Sequence, residues 1–145
     1  MTKKISKLED HLGYWLRQLS DLVLDNFAVK LKTHGISVAQ WSVLRSLYDT
    51  KEISLNDTAH KVGVDKSAMS RMVERLVQKG LVVRLEGVNR RELSLKLTLS
   101  ARNLVPKLAK IADNNDKLFF KLLSLDKQQE FLLLIKDLLK VNDLK

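Results

Sequence analysis

The residues best suited to chemistry lie between Asp65 and Arg91. On a helical wheel turning about 100° per residue, Ser67, Ser70, Arg71, Glu74 and Gln78 fall within about 60° of one direction. Met69, Met72, Val73, Leu76 and Val77 take the opposite side. Such a helix buries its apolar side and presents short hydroxyl side chains and a guanidinium on its outer face. Short side chains let a backbone approach a surface closely, and Arg donates paired hydrogen bonds to guanine O6 and N7. The chemistry on offer is therefore hydrogen bonding to base edges in a major groove about 12 Å wide, which admits one α-helix. Lys66 and Arg75 suit phosphate oxygens beside such a helix. A second basic pair, Arg90 and Arg91, follows Asn89 in the polar stretch Glu86 to Glu92 and suits phosphates or a narrow minor groove. A solvated amphipathic helix would also carry Ser and Arg outward. The coincidence of the helix, the basic pair and a local charge excess weighs against that reading.

The charge excess is concentrated in this region. The 145 residues carry 26 Lys and Arg against 17 Asp and Glu, a net +9. Residues 61–98 hold nine of the basic and only four of the acidic side chains, whereas residues 1–60 hold eight and seven. So uneven a distribution points to a polyanionic partner. Other chemistries find little support. The chain has no Cys, which excludes a disulfide framework, a thiolate metal site, a cysteine nucleophile and a thiol redox sensor. His11, His34 and His60 lack the spacing of metal ligands, and there is no glycine-rich phosphate loop, nucleophile elbow or carboxylate pair in an apolar setting. Neither an enzyme, a metal nor a cofactor is expected. No apolar segment follows the lysines of the first ten residues, and the run Phe131 to Ile135 is too short to span a bilayer, so a cytoplasmic protein without a membrane partner is expected.

The elements that must position these residues can be read from periodicity and capping. The length suits one domain, and five Gly, one Pro and an abundance of helix formers predict a mostly α fold. Ser6-Lys7-Leu8-Glu9 has the form of a capping box and predicts the start of helix one, whose apolar stripe from Leu8 to Phe27 ends near Lys32 before Gly35. A second box, Ser37 to Gln40, opens a helix to Tyr48. Ser54 caps a short helix to Val62, Gly63 makes the turn, Asp65 caps the next helix and Gly80 closes it. The period then changes to two, with Leu81-Val82-Val83 and Leu93, Leu95 and Leu97 forming two antiparallel strands joined by a projecting loop, a wing. Helical spacing returns after Thr98, with a bend expected at Pro106 and a pause at Asp113 to Asp116, and Ser124 caps the last helix. That helix is apolar all round from Phe131 to Ile135, with Leu138 and Leu139 beyond, more than a helix on a monomer surface should carry, so a partner chain is expected to cover it.

The segments Asp65-Lys66-Ser67-Ala68-Met69-Ser70-Arg71 and Gly80-Leu81-Val82, with Asn89-Arg90-Arg91 followed by Leu95-Lys96-Leu97-Thr98, resemble the MarR/SlyA family of winged helix-turn-helix transcription regulators over nearly the whole chain. The family's wing carries Asp-Arg-Arg and, several residues later, Leu-Thr. Two positions depart from the pattern. Asn89 stands at the acidic position, where it can hydrogen-bond but cannot form an ion pair with a wing Arg, and Ala101 stands where Gly often follows the Thr by three residues.

The resemblance implies a single winged-helix domain over residues 1–145, with a DNA-binding lobe at 37–98. Within that lobe the helix-turn-helix occupies about 54–79 and the wing about 81–98. Residues 6–34 and 99–141 would form dimerisation helices that interlock in a homodimer. Each winged helix would then read half of a pseudo-palindromic operator in double-stranded DNA, with Lys66, Ser67, Ser70, Arg71, Arg75, Asn89, Arg90 and Arg91 as the contact residues. Repression by blocking a promoter is expected, relieved by a small aromatic or anionic effector bound between the dimerisation helices and the lobe. Trp15 and Trp41 are the candidate ligand contacts, although Trp at helical spacing more often belongs to a core. The competing expectation is a low-specificity architectural protein of the nucleoid type, which the net charge would also permit.

Overall fold

The computed structural model describes residues 3–86 and 93–142. After a 3-10 turn at Leu8–Asp10, the order is α1 (Leu12–Lys32), α2 (Val38–Tyr48), β1 (Ile53–Ser54), α3 (Leu55–Val62), α4 (Lys66–Gln78), β2 (Val82–Glu86), β3 (Leu93–Leu97), α5 (Leu99–Phe120) and α6 (Leu125–Val141). This is the mostly α arrangement expected, with the two antiparallel strands in place. The sheet has one strand more than the sequence suggested. Its order is β1-β3-β2, with Ile53 opposite Leu95 and Arg84 opposite Leu95 from the other side. A two-residue strand is too short to show a period of two, so β1 left no alternation to read.

Local capping explains most helix boundaries. The Ser37 hydroxyl accepts from Gln40 N at 3.1 Å while the Gln40 side chain accepts from Ser37 N at 3.0 Å, so both halves of that capping box are made. Ser54, Asp65, Thr98 and Ser124 cap α3, α4, α5 and α6 in the same single-ended way. The expected box at Ser6 is a correction. The Ser6 hydroxyl lies 3.2 Å from His11 Nε2, the Asp10 carboxylate takes the Lys7 amide at 2.9 Å, and α1 begins only at Leu12. Competing local partners diverted the chain into a 3-10 turn before the α-helix could start.

A second correction concerns Asp113 to Asp116, where α5, which contains Pro106, continues without the expected pause. The polar cluster reads as a break, yet Asn115 is buried and fully employed: Asn26 Nδ2 donates to its Oδ1 at 2.7 Å and its own Nδ2 donates to the Val23 carbonyl at 3.2 Å. Its polarity is spent on a link between α1 and α5, not on a turn.

One core gathers Leu31 of α1, Val43, Leu44 and Leu47 of α2, Met69, Val73 and Leu76 of α4, Leu95 and Leu97 of β3, and Val105 and Leu108 of α5. Every element from α2 to β3 is thereby packed around one centre, which fixes α4 relative to the sheet. The ends of the chain are different. In α1 only Phe27 and Leu31 are buried, and in α6 nothing is. Leu12 is 88% exposed, Leu134 61%, Leu138 64% and Leu139 67%, so the protomer leaves the apolar surfaces of both terminal helices uncovered. Burial of α6 within one protomer does not occur. No helix among the described residues is long and apolar enough to cross a membrane.

Candidate nucleic-acid interface

The turn that presents α4 is built from three local features. The Ser54 hydroxyl accepts from Asp57 N at 3.1 Å and starts α3, and Gly63 ends it at φ +82°. That left-handed conformation returns the Gly63 and Val64 amides to the Ala59 carbonyl, at 2.9 and 3.1 Å, and costs glycine little. Two residues later Asp65 Oδ1 accepts from Ala68 N at 2.7 Å and α4 begins. The chain therefore reverses within a few residues, and the first turn of α4 stands at an outer edge of the lobe with Lys66 and Ser67 exposed.

Along α4 the two sides separate as the wheel predicts. Met69, Val73 and Leu76 are buried and Met72 and Val77 half-buried, while Ser67, Ser70, Arg71, Glu74 and Gln78 are all exposed. Lys66 and Arg75 are exposed too. The structure thus brings Lys66, Ser67, Ser70, Arg71 and Arg75 together on one helix in contact with solvent. Asn89, Arg90 and Arg91 lie outside the described residues.

One contact here was not legible in the sequence. Arg84 of β2 forms an ion pair with Glu74 of α4, linking the helix to the hairpin across its exposed side. Arg84 and Glu74, with Ser70, Arg71, Gln78 and Leu93, line an open recess of about 560 Å³ between α4 and the strands. The ion pair occupies the carboxylate of Glu74, which would otherwise stand as a free negative charge among the helix's outward cations. Arg84 and Glu74 are ten residues apart on different elements, so no helical or strand spacing signals the pairing.

Two further links hold this lobe to α5. Thr98 Oγ1 donates to the Gly80 carbonyl at 2.7 Å and also accepts from Ala101 N at 3.2 Å, so one hydroxyl joins the end of α4 to the start of α5. Ala101, the departure from the glycine pattern, is fully buried in the first turn of α5, a helical position that a methyl side chain suits. Arg102 donates to the carbonyls of Tyr48 and Thr50, each at 3.3 Å, and its guanidinium lies 5.9 Å from the centre of the Tyr48 ring. Arg45 approaches the same ring at 5.7 Å and also pairs with Asp49 at 2.7 Å.

The two tryptophans named as ligand contacts have separate surroundings. Trp15 is 54% exposed, stacks edge-on with Tyr14 and donates through Nε1 to the Glu9 carbonyl at 2.8 Å. Trp41 is half-buried and meets the edge of Phe27 with ring centres 6.2 Å apart, against the core. Phe27 lies roughly 18 Å along α1 from Trp15 at 1.5 Å per residue, so the structure does not bring the two indoles together within a protomer.

Comparison with known proteins agrees with this architecture. The family model described as MarR family matches residues 36–93, which spans α2 to the start of β3. The homoprotocatechuate degradative operon repressor of Escherichia coli is 26% identical over 98 residues, 67% of this chain and 66% of the repressor. The HTH-type transcriptional regulator FarR of Neisseria gonorrhoeae is 28% identical over 125 residues, covering 86% of this chain and 83% of that protein. Among solved structures, a mutant MarR from Escherichia coli complexed with operator DNA superimposes with a TM-score of 0.81 at 26% identity, over 88% of this chain and 93% of that one. Over residues 36–93 by the family model, and over most of its length by fold, the chain is similar to the winged-helix regulators of the MarR family.

Proposed function

We propose that the chain is a homodimeric, sequence-specific DNA-binding transcriptional regulator acting in the cytoplasm, and that it represses by occupying a promoter. The observation that carries this reading is the outer face of α4, where Ser67, Ser70 and Arg71 stand exposed at the edge of a helix-turn-helix clamped by one core. In this reading Ser67, Ser70 and Arg71 meet base edges and nearby phosphates, Lys66 and Arg75 hold the backbone, and Asn89, Arg90 and Arg91 enter the flanking minor groove. Residues 37–98 form the DNA-binding lobe of a single domain spanning 1–145, and 6–34 and 99–141 supply the dimerisation helices. The uncovered apolar residues of α1 and α6 support that division, since a second copy would bury them. The relatives are an operon repressor and a transcriptional regulator, and the family is one of regulators, not enzymes, which favours operator recognition over low-specificity coating of DNA.

Release from DNA by a small aromatic or anionic effector completes the reading. Of the two tryptophans, Trp15 has the more accessible ring for such a ligand. The central proposal is tested by selecting binders from a pool of random duplex DNA. Enrichment of a two-fold symmetric sequence with half-sites about one helical turn apart, roughly 10 base pairs, supports it. Recovery of the pool without enrichment overturns it.

A further inference from the structure

The elbow between α5 and α6 holds a recess that DNA recognition does not use. Asp116, Phe120, Gln128, Phe131, Leu132 and Ile135 enclose about 230 Å³ there. On α6, Gln128, Phe131, Leu132 and Ile135 fall within about 60° of one direction, facing α5, while Leu133 and Leu134 lie more than about 100° from that direction. Of the exposed leucines of α6, Leu133 and Leu134 thus stand clear of the recess. The Phe120 and Phe131 rings stand 6.2 Å apart with planes inclined at 42°, which forms an aromatic wall. The Gln128 amide is already committed, its Nε2 donating to the carbonyls of Phe120 and Leu123 at 3.0 Å each.

The carboxylate at the rim has no such commitment. Among the described residues no cation forms an ion pair with Asp116. Burial raises its pKa above the ordinary carboxylate value, and the Asp113 carboxylate adds to that shift. An incoming positive charge would relieve both effects. An anion would be repelled, and a neutral guest would gain only apolar contact.

We propose that the α5–α6 elbow binds a small lipophilic organic cation, with its charged head at Asp116 and its apolar body against Phe120 and Phe131. A carboxylate facing a pair of aromatic rings is the chemistry that selects ammonium groups carrying apolar substituents. The volume falls below the roughly 300 Å³ at which pockets begin to accept drug-sized ligands, so the guest is a single ring or a short branched chain. The proposal stands on the elbow alone and does not rest on DNA recognition.

Titration calorimetry of the full chain with benzyltrimethylammonium, benzyl alcohol and benzoate tests this directly. Saturable binding of the cation at one site per protomer is expected, with the alcohol and benzoate at least about tenfold weaker. Asp116→Asn should lower the cation's affinity by about tenfold or more while leaving the circular dichroism spectrum intact. Phe131→Leu, which keeps an apolar wall without the ring, should weaken it several-fold. Equal affinity for benzoate, unchanged affinity in Asp116→Asn, or no heat with the cation would each overturn the proposal. It also fails if Asp116→Asn dissociates a dimer without changing cation affinity, because the carboxylate then serves contact between copies.

Discussion

Arg71 and Lys66 carry the same charge on the same helix but are expected to do different work. Arg71 lies on the strip shared with Ser67 and Ser70, where a planar guanidinium can pair with a guanine edge, whereas Lys66 is a point charge suited to phosphate. Arg71→Ala should therefore cost about 1–3 kcal/mol on a selected operator, and less on scrambled DNA, whereas Lys66→Ala should weaken both about equally. Competition binding on the two duplexes checks this, and equal losses for both variants on both DNAs would reject the division of roles. The outward position of these residues was legible because a helical wheel needs only local spacing and Met69, Val73 and Leu76 mark the buried side clearly. The partnership of Glu74 with Arg84 was not. It depends on how the β2 strand docks against α4, and that docking is set by a core assembled from five other elements.

At the scale of elements, helix starts could be read wherever a cap had no competitor. Ser37, Ser54, Asp65 and Ser124 each cap the helix that follows, as their sequence neighbourhoods suggest. Ser6 has the same motif, but His11 and Asp10 supply nearer partners and the chain makes a 3-10 turn instead. The apparent break at Asp113 to Asp116 failed for a tertiary reason, since the acceptor and donor for Asn115 come from α1, some ninety positions earlier in the chain. A buried polar group held across two helices is expensive to disrupt. Asn115→Ala should destabilise the protein by about 1–3 kcal/mol by leaving the Asn26 amide without its partner. For a chain of this length that is a fall in Tm of roughly 2–4 °C per kcal/mol, readable by thermal denaturation. An unchanged Tm would show that the link between α1 and α5 contributes nothing.

For the molecule as a whole, the division of apolar surface governs assembly. The lobe from α2 to β3 buries its own leucines, whereas α1 before Phe27 and all of α6 display theirs. The sequence showed the excess on α6, because five consecutive apolar residues leave a helix no polar face. It could not show how little of that excess one protomer covers, which depends on the angle at which α6 leaves α5. Leu134→Asp with Leu138→Asp should convert the dimer to a monomer of 16.6 kDa in sedimentation equilibrium, with the helical signal retained. A dimer that survives both charges would place the interface elsewhere.

Two copies of this lobe are expected to recognise a particular DNA sequence. Fluorescence anisotropy on DNA from upstream of the protein's own gene, against a scrambled duplex and across a salt series, tests it most directly. Affinity about 10³-fold or more tighter is expected for the upstream duplex at physiological salt, with the ratio persisting as salt weakens both. Equal affinity for the two duplexes, with the same steep dependence on salt, would contradict it and leave only a charge-driven association with DNA.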